Sequence, residues 1–393
     1  MLKGFKTELR ITKQKHITKI HQSIGICRFL YNSYLVKNKE LYELYKEGKI
    51  DKNQAFMSAN DFDKYINNEI KILDEFKWIN NCGSKARKKA IVNAEMAYKR
   101  FFKGQAKFPR FKKKKNQDVK IYFPKNNETD WTVERHKIKI PSLGFVELKE
   151  MGYIPTNAKV VNSTVSMKAG RYYVSVLCDV VDHNDYSNVR NEGIGVDLGI
   201  KDLAIVSNID EPFNNINKTD DVRKLKKKLK RLQRQVSRKY EMNKDGKKFI
   251  KTKNIVKLEA QIRTIHQRLS NIRLNYAHQI TNILVKSKPE YIVIEDLNVK
   301  GMMKNRHLSK AIAEQSFHEF RRQLTYKCLW NNIELRVVDR WFPSSKMCSE
   351  CGNIKKDLKL SDREYICKEC GIILDRDRNA SINLKNAKEY KVA

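Results

Sequence analysis

Four cysteines constrain this chain more than any other feature. Cys348, Cys351, Cys367 and Cys370 are spaced C-x2-C-x15-C-x2-C. Two short turns, CSEC and CKEC, each followed by glycine, offer paired thiolates. Zinc takes four tetrahedral sulfur ligands in closed structural sites. Gly352 and Gly371 suit tight turns whose amides can donate to the sulfurs. Reduced thiols or a redox pair are the competing readings, and two matched pairs argue against both. A closed four-sulfur site leaves no open position. The expectation is therefore one structural Zn²⁺ that folds a small lobe and does no chemistry itself.

Charge narrows the partner. Of 393 residues, 81 are Lys or Arg and 45 are Asp or Glu, a formal net charge of +36. Hydrophobic residues make up 40%, enough for a large core and more than one domain. The basic excess runs through most of the chain, which favours a polyanion whose condensed counterions are released on binding. An acidic membrane is the other polyanion, but no apolar run is long enough to span a bilayer. The start, MLKGFKTELRITKQK, lacks an apolar signal core, so a cytoplasmic protein is expected. The remaining cysteines, Cys27, Cys82, Cys178 and Cys328, sit singly and read as reduced, buried small side chains.

Periodicity divides the chain. Residues 5–11 alternate like a strand, and about 14–45 turn helical, with Gly25 expected to break or bend the helix. Helical stretches follow at about 52–75 and 84–103. KFPRFKKKK, 107–115, reads as a loop in which Lys112, Lys113, Lys114 and Lys115 form a solvated run. With Lys107 and Arg110 it is a candidate phosphate-contacting segment, and Phe108 and Phe111 are available to pack or stack. Residues 119–180 read as strands, with a hairpin turn at Ala169-Gly170, and suggest a small barrel or sheet. The polar stretch 182–191 is the candidate linker.

Beyond it, 192–208 reads as a buried strand, a glycine-punctuated turn and a second strand. Two long helices with apolar seams and basic outer faces then form a hairpin turning near Asp245-Gly246. Its basic outside is either a solvated face or a nucleic-acid rail. A strand at 291–297, a helix at about 310–330, a strand at 334–340 and a helix starting near Asp377 complete the pattern.

Three acids stand in unusual places. Asp197 ends an apolar strand within GVDLG, Glu295 ends another within VIEDL, and Asp377 opens a helix within DRDRNASIN. Buried acids generally pair or bind metal. Converging carboxylates can hold two Mg²⁺ ions for phosphodiester hydrolysis, because Mg²⁺ takes hard oxygen ligands and keeps waters. Each motif alone is weak, since Asp377 could simply cap its helix. Asp296, Asp339 and Asp375 are rival acids read as solvated or capping. The element order, acid-bearing strand, strand, acid-bearing strand, helix acid, is what an RNase H-like sheet offers.

GIGVDLGIKDLAIVS, YIVIEDLNVKGMMKN, VDRWFPSSKMCSECG and CGIILDRDRNASINL resemble the RuvC-like nuclease and zinc segments of TnpB proteins. CRFLYNSYL and KFPRFKKKK are similar to the N-terminal half of that family. TnpB is encoded by small insertion sequences and is related to type V CRISPR effectors. The resemblance implies an α/β multidomain RNA-guided DNA endonuclease that opens duplex DNA beside a short adjacent motif. It implies that Asp197, Glu295 and Asp377 carry two Mg²⁺ ions in one RuvC-like site. The implied layout is a wedge-like β-barrel (1–11 and 118–181) split by a helical recognition lobe (12–117). A nuclease domain follows (192–341 and 374–393, with the hairpin at 219–288), carrying a zinc ribbon at 342–373. Expected partners are a guide RNA from the transposon end and double-stranded target DNA, with one protein copy per RNA. The alternatives are a nuclease-silent guided regulator, a DNA-strand transposase and a miniature CRISPR effector.

Overall fold

The computed structural model describes residues 1–114, 119–123, 131–156, 158–181, 191–359 and 362–393. Two units emerge, one up to position 183 and one from position 184. Lys115 and most of the 182–191 stretch lie outside the described residues. Among the described residues no helix is long and apolar enough to cross a membrane.

In the first unit, alternating side chains build a seven-stranded antiparallel sheet. Its strands are β1 (Leu2–Arg10), β2 (Val119–Phe123), β3 (Thr132–Val133), β4 (Lys137–Ile140), β5 (Gly144–Leu148), β6 (Lys159–Lys168) and β7 (Arg171–Asp179). Their spatial order is β2-β6-β7-β1-β5-β4-β3. The β6–β7 turn carries Ala169 and Gly170 at φ +50° and +79°, the left-handed pair that matches a twisted two-residue hairpin. Between β1 and β2 lie helices α1 (Gln14–Lys46), α2 (Ala59–Tyr65) and α3 (Ser84–Phe102). Helix and sheet side chains share one core, in which Ile20, Leu30, Ile91, Ile121, Val165 and Val174 are buried.

Two expectations for this unit change. Helix α1 runs through Gly25 unbroken, because buried neighbours on both sides outweigh a glycine penalty of about 1 kcal/mol. Cys27 and Cys82 are not isolated, since their sulfurs lie 3.9 Å apart. The 52–75 stretch is helical in mixed form, a 3-10 turn (Lys52–Gln54), then α2, then a π turn (Ile66–Ile70).

The second unit holds a six-stranded mixed sheet, ordered β10-β9-β8-β13-β14-β17. The strands are β8 (Ile194–Asp197), β9 (Asp202–Val206), β10 (Ile209–Asn214), β13 (Tyr291–Glu295), β14 (Glu334–Val338) and β17 (Lys391–Val392), with the short pairs β11 (Lys244–Asp245) with β12 (Lys248–Phe249) and β15 (Glu364–Ile366) with β16 (Ile373–Asp375) standing apart. Strands β8, β13 and β14 are parallel, and the apolar runs of β8 and β13 are buried on both faces. The hairpin of α4 (Asp220–Met242) and α5 (Lys253–Lys286) closes on Val222, Leu232, Ile265 and Leu269. The expected helix at 310–330 is broken into α7 (Ser309–Gln315) and α8 (Phe317–Trp330) by Ser316 at φ +58°; a short α6 (Val299–Met302) precedes them.

The last helix, α9 (Arg376–Lys385), lies directly on β8. Gly195 makes this possible. A Cβ there would stand 2.0 Å from the Ser381 carbonyl oxygen and 2.4 Å from the Lys385 amide nitrogen. Both obstacles are backbone, so no rotamer change relieves them. Gly195→Ala should therefore cost about 1–3 kcal/mol in chemical denaturation, whereas Gly4→Ala, with open space at its Cβ, should cost much less.

Candidate active site

Parallel register sets two of the three acids side by side. Ile194, Gly195 and Val196 of β8 pair with Ile292, Val293 and Ile294 of β13. The next residues are Asp197 and Glu295, on neighbouring strand ends about 4.8 Å apart in the sheet. Helix α9, seated on Gly195, brings Asp377 to them in its first turn. Asp197 feels the result. Burial pushes its carboxyl up to about 7, and the charges of Asp377 and Glu295 add to the rise. Burial, then Asp296, pushes Glu295 up to about 7 as well. The three sequence-derived acids therefore meet at the C-terminal ends of the central strands, and Asp377 and Glu295 oppose the ionisation of Asp197. A divalent cation would relieve that opposition, and an all-oxygen donor set suits Mg²⁺.

The neighbouring acids have other partners. Asp375 is the N-cap of α9 and accepts from the Asp377 and Arg378 amides at 2.9 and 3.0 Å. Asp377 is paired with Arg376 at 2.8 Å. Asp296 is not simply solvated: it accepts from Arg321 at 2.6 Å and from Arg340 at 2.7 Å. Asp339 accepts from the Trp341 amide.

The four cysteines converge. Their sulfurs lie within 4.8 Å of one another, with Cys348–Cys370 and Cys351–Cys367 at 3.6 Å. A zinc tetrahedron with bonds of about 2.3 Å has edges of roughly 3.8 Å, so the tetrad fits the ion. Among the described residues it is the one group of three or more metal-binding side chains this close. Each pair sits in the same kind of turn. Gly352 donates to the Cys348 carbonyl and Gly371 to the Cys367 carbonyl, at φ +75° and +73°. Tyr365, fully buried, packs with Cys348 and Cys367 beneath the tetrad.

Two residues absent from the sequence reading tie this lobe to α9. Asn379 accepts from the Ser349 amide at 3.0 Å and donates to the Met347 carbonyl at 2.7 Å. Asn383 donates to the Met347 and Ser344 carbonyls at 2.6 and 2.8 Å. Both asparagines are buried. The first zinc turn is thus bonded to the helix that carries Asp377. Only the i, i+4 spacing of two amides in RNASIN hinted at it.

The basic loop lies in the first unit. Lys107, Arg110, Lys113 and Lys114 are exposed. Lys112 is not a free solvated charge: its ammonium sits 3.7 Å from the Tyr31 ring centroid, and its backbone bonds both ways with Asn32. Phe108 packs edge-on against Tyr98 and Phe101 of α3.

Comparison with known proteins follows the same division. A family model described as "Probable transposase", of the OrfB group of IS605 elements, matches residues 175–306. A Cas12f1-like TNB domain model matches 317–384, which spans the cysteine lobe and most of α9. A model described as a helix-turn-helix domain matches 1–47, where the structure has β1 and the single helix α1. A protein of Streptomyces pristinaespiralis named "Putative RNA-guided DNA endonuclease" is 30% identical, covering 80% of this chain and 74% of its own. InsQ of Escherichia coli K12, named in the same way, is 29% identical over 98% of this chain and 91% of its own. The cryo-EM structure of the Cas12f1–sgRNA–target DNA complex shares the fold, with a TM-score of 0.58 at 16% identity, covering 97% of this chain and 84% of that one. Taken with the motifs and the site, these matches establish that the chain belongs to the TnpB family, the OrfB proteins of IS605-type insertion sequences.

Proposed function

We propose that this chain is an RNA-guided, Mg²⁺-dependent DNA endonuclease that cuts target DNA beside a short adjacent motif. One observation carries the reading: Asp197, Glu295 and Asp377 meet at the C-terminal ends of the central strands, and burial with the charges of the other two holds the first of them at about 7. The strand order, with the acids on β8, β13 and the following helix, supports an RNase H-like, RuvC-type domain. The names of the relatives support RNA guidance and DNA as target.

On this reading Asp197, Glu295 and Asp377 would hold the metal, and Mg²⁺, when bound, supplies Lewis-acid stabilisation of charge at the scissile phosphate. The chain's own residues do the positioning. The parallel pair β8–β13 fixes two carboxylates, and α9 fixes the third. Arg376 occupies Asp377 in this arrangement and must yield it for full metal coordination. The four cysteines would hold one structural Zn²⁺. The first unit's antiparallel sheet reads as the wedge barrel and its helices as the recognition lobe, with the loop around Lys107 and Arg110 on nucleic-acid phosphate. We read the protein as cytoplasmic and as one copy per guide RNA. Strand transfer is the second reading, favoured by the transposase description of the matching family model.

The decisive assay uses protein purified with its co-expressed RNA and a plasmid with a matched target and randomised flank. RNA- and Mg²⁺-dependent cutting should fall at least a thousandfold in Asp197→Ala, in line with losing a group that acts as part of a unit. Binding without cutting in the unaltered protein would favour a guided regulator, and joined products would favour strand transfer. In the same assay Cys348→Ser should cut more weakly, because the zinc turn no longer holds α9 through Asn379.

The raised carboxyls also predict a pH dependence. A carboxyl whose folded pKa is near 7 binds its proton more tightly than in the unfolded chain. Its stabilising contribution is full below about pH 4 and is lost as pH rises through 7. Without divalent cations, Tm should therefore fall between pH 5 and 8 by more than in Asp197→Asn. Added Mg²⁺ should raise Tm more at pH 8 than at pH 5. An unaltered pH profile in Asp197→Asn would contradict the coupling.

A further inference from the structure

Beside Glu295 lies a hollow of about 250 Å³ that no step above uses. It is smaller than the ~300–1,000 Å³ of most ligand sites, so it suits one small planar group rather than a whole cofactor. Its lining includes the apolar Leu198, Leu297 and Phe317 and the charged Glu295, Arg321 and Arg340. Leu198 follows Asp197 directly, and Leu297 lies two residues past Glu295. The hollow therefore lies at the same strand ends as the acids.

The arginine pair is built rather than incidental. Arg321 comes from α8, and Arg340 lies two residues past the end of β14. Asp296 Oδ1 accepts from Arg321 and its Oδ2 accepts from Arg340. One carboxylate thus holds two guanidiniums from different elements, and that trio keeps one net positive charge. Each guanidinium has five N–H donors and gives one to Asp296, which leaves donors for a phosphate. A lining that joins apolar side chains to two arginines complements a nucleotide, its base against the former and its phosphate against the latter.

We propose that this hollow is a nucleotide subsite for the strand being cut. A nucleobase rests on Leu198, Leu297 and Phe317, and the adjoining backbone phosphate bonds Arg321 and Arg340. Asp296 is then a positioning residue for the two arginines rather than a metal ligand. The subsite rests on the nuclease reading, because it explains how a scissile phosphate is held against Asp197 and Glu295.

The test uses the full-length chain carrying Asp197→Ala, so that binding is read without turnover. The probes are a short oligothymidine and an abasic strand of equal length. The base-bearing strand should bind about tenfold tighter, within the range for one stacked base. Val299→Trp, which fills the hollow from its lining, should erase most of that preference and leave abasic binding unchanged. Arg321→Gln with Arg340→Gln should weaken both strands about tenfold and lower the salt slope by about 1.4, the value for two lost contacts on a single strand. The charge-matched pair Lys39→Gln with Lys64→Gln should do less. A preference for bases that survives Val299→Trp would overturn the subsite, as would arginine variants no weaker than the charge-matched pair. Cutting by the chain with Asp197 intact is scored separately. Absent cutting with a pocket-dependent base preference removes the nuclease reading alone.

Discussion

The contact of helix α9 with Gly195 governs the rest of the second unit. A side chain at that position would collide with helix backbone at two points. With glycine there, the helix seats on the strand that ends in Asp197, and its first turn delivers Asp377. The acid constellation is therefore a consequence of backbone approach, not of side-chain attraction. Electrostatics works against it at Asp197, whose charge is disfavoured by burial and by Asp377 and Glu295. Packing holds together what electrostatics would separate.

The zinc lobe belongs to the same constraint. It enters after β14 and leaves through β16 straight into α9. Two buried asparagines on that helix bond the backbone around the first cysteine. An unsatisfied buried amide or carbonyl costs about 1–3 kcal/mol, so the lobe and the helix favour a single relative arrangement. On the proposed function, a metal with no open coordination position would thereby influence the placement of the Asp377 carboxylate. Zinc is then a spacer for the chemistry rather than a participant.

Much of this was legible in the residues, for identifiable reasons. The cysteine spacing carries its geometry with it, because a closed four-sulfur site leaves few alternatives. Apolar runs ending in an acid, at Asp197 and Glu295, revealed strand ends through period and length. The Ala169-Gly170 turn showed through its need for positive φ. Long-range events left weaker traces. The break at Ser316 carries no glycine or proline to announce it. The meeting of Cys27 with Cys82 joins residues far apart in the chain. The capture of Arg321 and Arg340 by Asp296 depends on three elements whose distances no local pattern encodes. The asparagine clamp was visible only as spacing, because asparagines are mostly exposed and spacing does not tell which are buried.

Crystals grown or soaked with Mn²⁺ and examined by anomalous scattering test the central claim most directly. The account predicts metal between Asp197, Glu295 and Asp377, with carboxylate oxygens at about 2.1 Å and Arg376 displaced from Asp377. Metal held without Asp377, or an intact Arg376–Asp377 pair with no ion among the three acids at saturating Mn²⁺, would contradict it.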